Sequence, residues 1–223
     1  MKADVIIPCF NEVNRVTDVV NVVKQSNCVN KIIVVDDGSN KKTKSELNKI
    51  NDIILIVHKN NKGKTAAIKS GISLSKADKI IFVDSDLIRL KKSHISSLHK
   101  ALDTNTDMVI GLRGREHLLA KITGMGVAFS GERVFWRKTL IKNNDIFNVE
   151  KYLLEPELNK RFFYIEKVKV VRMKGVNQVN KVFKYGIKGL IDDIKMLTGY
   201  AKYLGLIEFL RQLKLGLKFQ FST

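Results

Sequence analysis

Lys79-Ile80-Ile81-Phe82-Val83-Asp84-Ser85-Asp86-Leu87 is a short apolar run that stops at two aspartates. β-Branched and aromatic residues bounded by charge read as a buried strand. Open α/β sheets take their ligands at the C-terminal ends of strands, so the two acids stand where a ligand would. Asp84 and Asp86 are two residues apart, which on a continuing strand points both to one side. A turn at Ser85 still lets them converge. Two carboxylates about 4 Å apart repel by roughly 4 kcal/mol at an effective dielectric near 20. A hard divalent cation removes that cost and keeps phosphate oxygens as further ligands, so the stretch reads as a metal–diphosphate site. The plain alternative is a strand end whose acids cap the next helix, and an isolated Asp-x-Asp favours that alternative.

Upstream, Asp4 to Pro8 is a fully apolar strand core that runs into the polar turn Cys9-Phe10-Asn11-Glu12. Val16, Val19, Val20 and Val23 follow at helical spacing. A second strand, Lys31 to Asp37, ends in Asp36-Asp37-Gly38-Ser39, and Leu47 and Ile50 mark a short helix. Ile53 to Val57 is a third strand, followed by the loop Asn60 to Thr65 and a helix from Ala66 to Leu74. Downstream of the two acids, Ile95, Leu98 and Leu102 give a helix face, and Met108 to Leu112 a further strand. Alternating strands and helices with short connections predict an α/β fold with a mostly parallel sheet covered by helices on both faces.

The second half is less regular. Gly111 to Gly131 is rich in glycine and arginine, including Arg113, and reads as a substrate-facing segment. Val149 to Asn159 reads as a helix and Phe162 to Val171 as two short strands. From Asn180 onward the pattern is helical. Phe183, Ile187, Leu190, Ile191, Ile194 and Leu197 share one face, with Lys184, Lys188, Asp192 and Lys195 opposite. Leu206, Leu210, Leu213 and Leu217 continue an apolar stripe beside Arg211, Lys214 and Lys218. Basic amphipathic helices suit an anionic membrane interface; packing on the core or on a second subunit is the open alternative. The expected division is 1–179 as one catalytic-type domain, with halves 1–112 and 113–179, and 180–223 as a basic amphipathic tail.

Composition narrows the partners. The 223 residues suffice for one domain with a full core and a tail, and 44% hydrophobic with 28% charged residues is ordinary for a globular protein. The charge is not ordinary: 40 Lys and Arg against 22 Asp and Glu give +18. That excess favours anionic partners, although a general richness in Lys, Asn and Ile accounts for part of it. Cys9 and Cys28 have no partners at zinc-site spacing and are expected as free thiols in a reducing compartment. No signal peptide fits the start and no apolar run reaches the length of a membrane span, so the expected location is the cytoplasm, extending to peripheral attachment at the inner membrane face.

Four strand-end motifs stand in order: Ile7-Pro8-Cys9-Phe10-Asn11-Glu12, Val35-Asp36-Asp37-Gly38-Ser39, Asn61-Lys62-Gly63-Lys64 with Ala67, and Val83-Asp84-Ser85-Asp86. The series resembles the GT-A nucleotide-sugar glycosyltransferases of family 2, over about the first 110 residues. Each motif alone is weak; four at successive strand ends are strong. The resemblance implies a GT-A, Rossmann-like fold and Mg²⁺ or Mn²⁺ as cofactor. It implies that Pro8, Phe10 and Glu12 line the nucleotide pocket and that Asp36 accepts from the uracil or ribose edge. Gly63 would admit the ligand, Lys64 would offset phosphate charge, and Asp84 and Asp86 would hold the metal on the diphosphate. Phe10 as core and Asp37-Gly38-Ser39 as a turn and cap remain the plain alternatives.

Ser130 to Lys138 resembles the family's acceptor-side segment, and Tyr152 to Asn159 the helix carrying an acceptor-activating acid. The pattern favours Glu155 as general base, with Glu157 second. Lys174 to Lys181 resembles a segment that carries a metal-binding histidine in some relatives; Gln178 stands about where that histidine would be, and an amide oxygen is a weaker ligand for a hard cation. The arginine–tryptophan motif and membrane helices of processive synthases are absent, which argues against chain elongation.

The expected activity is therefore metal-dependent transfer of a hexose from a nucleotide sugar, with UDP as the favoured carrier, to a hydroxyl or phosphate acceptor that is lipid-linked or a small phosphorylated metabolite. The family is mostly inverting. Homo-oligomerisation through the C-terminal helices is a further expectation. A P-loop NTPase would need glycine where His58 stands, and a nucleotidyltransferase would want a glycine-rich loop where Pro8 to Glu12 stands. A non-catalytic basic adaptor for membrane or nucleic acid explains the charge but not the strand-end acids, which would repel phosphate without a metal; nucleic acid is the disfavoured partner.

Overall fold

A computed structural model describes residues 1–13, 15–114, 122–165, 167–178 and 186–221. The chain begins β1 (Ala3–Cys9), α1 (Arg15–Lys24), β2 (Val29–Asp36), α2 (Lys41–Leu47), β3 (Ile54–Val57), α3 (Lys64–Leu74) and β4 (Lys79–Phe82). Then come β5 (Leu87–Ile88), α4 (Lys92–Ala101), β6 (Met108–Arg113), α5 (Met125–Ala128), β7 (Arg133–Trp136) and α6 (Arg137–Lys142). The last part holds α7 (Leu154–Phe162), β8 (Val168–Met173), β9 (Asn177–Gln178), α8 (Ile187–Leu204) and α9 (Leu206–Phe221). Two 3₁₀ turns, Asn144–Asn148 and Phe163–Ile165, flank α7.

Seven strands form one sheet in the order β3-β2-β1-β4-β7-β6-β8, and β5 pairs with β9 in a separate two-stranded ribbon. β1 is parallel to β2 and β4, β2 to β3, and β6 to β8, whereas β7 runs antiparallel to β4 and β6. This is the mostly parallel, helix-covered sheet expected from the alternation. Side chains alternate across the pleat. Ile6, Ile33, Val35, Ile80 and Phe82 pack on one face with α3 and α7, while Val5, Ile7, Val34 and Ile81 pack on the other with α1 and α4. A strand covered on both faces has no need of polar alternation, which is why β1 and β2 read as continuous apolar runs.

The connection order reverses beside β1: β2 and β3 lie to one side of it and β4 to the other. A crevice opens at such a switch point, past the carboxyl ends of the strands. It falls between the end of β1, with Pro8 and Phe10, and the end of β4, with Asp84 and Asp86.

Several elements differ from their sequence reading, among them the helix read from Val149, which begins at Leu154. Phe162 and Phe163 end α7 and continue it as a 3₁₀ turn, so only the second of the two strands expected there forms, as β8. Phe162 packs on Phe135 at 5.5 Å and Phe163 on Phe219 at 5.2 Å, and this packing overrides the local strand preference of the aromatic run. The Asn180-onward helical pattern is seen in α8 and α9, with 179–185 outside the described residues. α9 is built into the molecule rather than trailing from it. Its buried residues are Gln212, Gly216, Phe219 and Gln220, and a Cβ on Gly216 would meet Gly124 O at 2.5 Å. Leu206 and Leu210 of the expected stripe face outward.

Candidate active site

The strand-end loops are tied to one another by backbone-directed carboxylates. Asp37, 3% exposed, accepts from Lys62 N at 3.0 Å, from Gly63 N at 2.7 Å and from His58 Nδ1 at 2.7 Å. His58 Nε2 in turn bonds Ser70 Oγ at 2.9 Å, so the residue that replaces a P-loop glycine anchors α3 to the β2 loop. Ser39 Oγ accepts from Asn11 N at 2.9 Å, joining the β1 and β2 loops.

Asp36 is fully buried at the end of β2. Its Oδ1 accepts from Ser39 N at 2.9 Å, while Oδ2 finds no hydrogen-bond partner among the described residues. A buried carboxylate oxygen left without a donor is costly, and a ligand N–H or O–H would satisfy it. Pro8 is half-buried at the end of β1, and Phe10 beyond it is 45% exposed, so its ring faces solvent rather than the core. Glu12 is nearly buried and accepts from Arg15 Nη1 at 2.7 Å.

Lys64 begins α3, where Gly63 adopts φ 91°. A Cβ on Gly63 would lie 2.6 Å from Lys151 Cα, and Thr65 Oγ1 donates to Lys151 O at 3.0 Å. The glycine thus admits the chain segment leading into α7, where its expected task was to admit a ligand. That close approach brings Glu155, in the first turn of α7, to the end of β4. Lys64 Nζ lies 2.6 Å from Asp84 Oδ1 and 2.7 Å from Glu155 Oε1. Burial opposes the charge on Lys64, but Asp84 and Glu155 outweigh it and hold the ammonium protonated. Burial likewise opposes ionisation of Asp84, and the Lys64 charge overcomes it and depresses the carboxyl below its ordinary value.

Ser130 to Arg133 forms the back wall. A Cβ on Gly131 would meet Asp84 Oδ2 and Lys64 Nζ at 2.4 Å each, so a larger residue here would have to displace the ends of both side chains. Glu132 is buried and accepts from Ser130 Oγ at 2.9 Å; burial and, against the opposing Arg113 charge, the neighbouring Asp84 push its carboxyl up to about 7. Arg133, also buried, donates to Ser130 O at 2.9 Å and Ala128 O at 3.2 Å, clamping this wall. Tyr200 of α8 packs beside the site against Phe129 at 4.7 Å and Tyr152 at 5.7 Å; burial and then Glu155 keep its phenol neutral.

The β5–β9 ribbon sets Gln178 opposite Leu87, beside Asp86. Gln178 Nε2 donates to Asp86 Oδ1 at 2.7 Å, and its amide oxygen accepts from Arg113. Gln178 therefore meets Asp86 through its nitrogen, with the oxygen that could ligate a cation turned to the arginine. Glu157 points elsewhere: its Oε2 accepts from Tyr203 OH at 2.7 Å. Of the residues read from sequence, Lys64, Asp84 and Glu155 converge directly and Asp86 and Gln178 adjoin each other, while Glu157 is turned toward α8. Gly131, Glu132, Arg133 and Tyr200 were not read as site residues. Their only signal was membership of the acceptor-side segment or of the C-terminal helices.

Among the described residues no three His, Cys, Asp or Glu side chains group closely enough to enclose a metal. The donor set still fits a divalent cation of the Mg²⁺ type, which takes one or two carboxylates and completes its shell with phosphate oxygens and water. The Lys64 ammonium at 2.6 Å shows that Asp84 is placed to receive positive charge.

Residues 4–154 match the model of glycosyl transferase family 2. The chain belongs to this family. It is 34% identical over 123 residues to an uncharacterized protein of Methanocaldococcus jannaschii, covering 51% of this chain and 52% of that one. It is 32% identical over 113 residues to glycosyltransferase GlyG of Streptococcus pneumoniae serotype 4, covering 48% of this chain and 37% of that one. The matches thus span about half the length, or less, of these curated relatives. Among solved structures, glucosyl-3-phosphoglycerate synthase of Mycobacterium tuberculosis shares the fold. Its complex with Mn²⁺, UDP and glucosyl-3-phosphoglycerate superposes with a TM-score of 0.64 at 18% identity, over 86% of this chain and 79% of that one. Its complex with Mg²⁺ and UDP gives 0.62 at 17% identity, over 86% and 78%. No helix among the described residues is long and apolar enough to cross a membrane.

Proposed function

We propose that the protein transfers a hexose from a UDP-linked sugar to a hydroxyl or phosphate oxygen of an acceptor, in a metal-dependent reaction. The observation that carries this reading is the Lys64 bridge between Asp84 and Glu155, which joins the end of β4 to the first turn of α7. A donor-side acid and an acceptor-side acid thereby face one point across a switch-point crevice. The unpartnered Asp36 Oδ2 at the next strand end suits the imide N–H of uracil, and the exposed Phe10 ring suits stacking on the base. The mycobacterial synthase, by its own complexes, binds UDP with Mn²⁺ or Mg²⁺ and also phosphoglyceric acid, which agrees in class with this assignment.

Asp84 and Asp86 would hold the cation, with Gln178 orienting Asp86 and Arg113 orienting Gln178. Bound there, a divalent metal supplies charge stabilisation to the departing diphosphate. The chain's own groups perform the rest. Lys64 turns its ammonium from Glu155 toward the incoming diphosphate, which frees the Glu155 carboxylate for the acceptor. Glu155 takes the acceptor proton as the acceptor oxygen bonds to the anomeric carbon. The bond from that carbon to the diphosphate oxygen breaks, and its electron pair leaves with the nucleotide. Gly131 leaves room for the Lys64–Asp84 pair, and the neutral Tyr200 phenol adds no charge beside Glu155. The acceptor is a small phosphorylated metabolite or a lipid-linked phosphate or sugar, both of which suit the +18 charge.

Thermal unfolding of the purified chain against a panel of nucleotide sugars, with Mn²⁺ and then with EDTA, tests the donor site. A ligand at 100 times its Kd adds about 2.7 kcal/mol to folded-state stability. The expected result is a metal-dependent rise with a UDP-sugar that is lost in Asp86→Ala. No rise with any nucleotide sugar would transfer the weight to a non-catalytic basic adaptor.

A further inference from the structure

The outward faces of α8 and α9 combine apolar and cationic side chains in an unusual way. On α8, Ile187, Ile191 and Ile194 are 79%, 44% and 53% exposed, and Lys188, Lys195 and Lys202 lie exposed along one flank of them. At 100° per residue the isoleucines and lysines fall within one half of the helix. On α9, Leu206, Ile207 and Leu210 are exposed beside Lys214 and Lys218, while the Arg211 guanidinium lies over the Tyr164 ring at 4.3 Å. Every Asp and Glu described on the two helices, Asp192, Asp193 and Glu208, is at least partly shielded, so the exposed residues here include no acid.

The inner faces show why this surface looks outward. Phe129 stacks on Tyr200 of α8 at 4.7 Å and on Phe209 of α9 at 6.2 Å. Tyr200 lies about half a turn round α8 from Ile191, so the same helix that packs beside the site presents its isoleucines away from it.

We propose that this face docks on an anionic lipid bilayer, with the apolar side chains entering the headgroup region and the exposed lysines meeting the lipid phosphates. Apolar area together with lysines that can snorkel is the combination an interfacial helix needs. A second copy of the same face would oppose cation to cation. A nucleic acid would meet the cations but leave the isoleucines in water. Docking does not depend on the transferase reading, because it needs neither donor nor metal.

The test is co-sedimentation of the chain with vesicles of phosphatidylcholine alone and with about one-third phosphatidylglycerol, in the absence of nucleotide sugar. The expected result is binding to the anionic vesicles only, weakening with salt. Ile191→Ser/Ile194→Ser and Lys188→Gln/Lys195→Gln should each weaken it at least about tenfold, with unchanged circular dichroism and thermal midpoint. Exposed positions leave the fold intact in both variants. Failure of the folded wild type to bind anionic vesicles overturns the proposal. So does a dimer in light scattering that Ile191→Ser/Ile194→Ser dissociates, or tight single-stranded RNA binding without vesicle binding.

Discussion

Lys64 Nζ stands 2.7 Å from Glu155 Oε1, although the two are 91 positions apart in the chain. The contact exists because Gly63 lets the backbone of Lys151 pass within van der Waals distance of the α3 N-terminus. It couples the half of the molecule that carries the strand-end acids to the half that carries Glu155. The same ammonium balances Asp84, so two carboxylates depend on one cation.

Replacing that cation by Lys64→Met leaves both acids facing each other. Breaking a buried pair by removing one partner costs about 3–5 kcal/mol. A quarter of the Lys64 side chain is exposed, and screening brings the expected loss to about 2 kcal/mol. The wild-type pair is insensitive to pH over a wide window. Asp84 is depressed below its ordinary 3.8, so its contribution is present above that value and lost only as pH falls through the lower folded one. Lys64 is raised above 10.5, so its contribution is present below that value and lost only in stronger alkali. In the variant, the unpaired acids gain from protonation. Urea unfolding should therefore show a deficit that is larger at pH 7 than at pH 5.

Glu155 and Glu157 lie on one helix two residues apart and have different neighbours. Glu155→Gln should lower turnover by about 10²–10⁴-fold, the usual worth of a general base, with donor-induced thermal stabilisation retained. Glu157→Gln keeps an acceptor for Tyr203 OH and should change turnover less than about threefold. Steady-state kinetics on both variants separates the two acids, and the reverse ranking would assign the base to Glu157.

Glu132 supplies the pH dependence that Lys64 and Asp84 do not. Burial and Asp84 push its carboxyl up to about 7 in the folded chain, against an ordinary 4.5. Below 4.5 both states hold the proton. Between 4.5 and 7 the folded state holds it and the unfolded state does not, so stability falls as pH rises through this window. The whole fall is on the order of 3 kcal/mol. Denaturant unfolding in chelator at pH 4.5 and pH 8 should show this slope in the wild type and a flatter profile in Glu132→Gln.

The first half of the chain was legible because its strands are continuous apolar runs, and each ends in a motif with its own turn chemistry. Asp36-Asp37-Gly38-Ser39 and Asn61-Lys62-Gly63-Lys64 could be placed at strand ends without any tertiary information. The second half was not legible in the same way. β7 contains Arg133, a charged residue that is 1% exposed because backbone carbonyls of the preceding loop take its guanidinium. Polarity concealed that strand. In α9 the periodicity of Leu206 and Leu210 is genuine but marks the outward side, and the core side uses Gln212 and Gly216. Gln212 is admitted because its amide donates to Pro156 O at 3.0 Å and accepts from Asn159 Nδ2 at 3.2 Å. A hydrophobic pattern cannot report a face built from a satisfied amide and a close helix contact.

Asp36 offers a test of nucleotide identity. Its Oδ1 holds the β2 loop through Ser39 N, and its Oδ2 is the buried oxygen without a donor. Asp36→Asn preserves the loop bond and turns an NH₂ toward the ligand in place of an acceptor. An N–H of uracil would then face an N–H, and each unpaired buried group costs about 1–3 kcal/mol. UDP affinity in the presence of Mn²⁺ should fall by about tenfold or more, while the thermal midpoint of the ligand-free chain stays within a few degrees of wild type. Calorimetric titration of UDP, CDP and GDP into both proteins reads this directly. Guanine N1–H is a donor like the uracil imide and would lose its acceptor too, whereas cytosine N3 is an acceptor and would gain from the new NH₂. Loss for UDP without loss for CDP identifies Asp36 as the base-reading residue, and equal loss for all three places its effect in the loop that it supports.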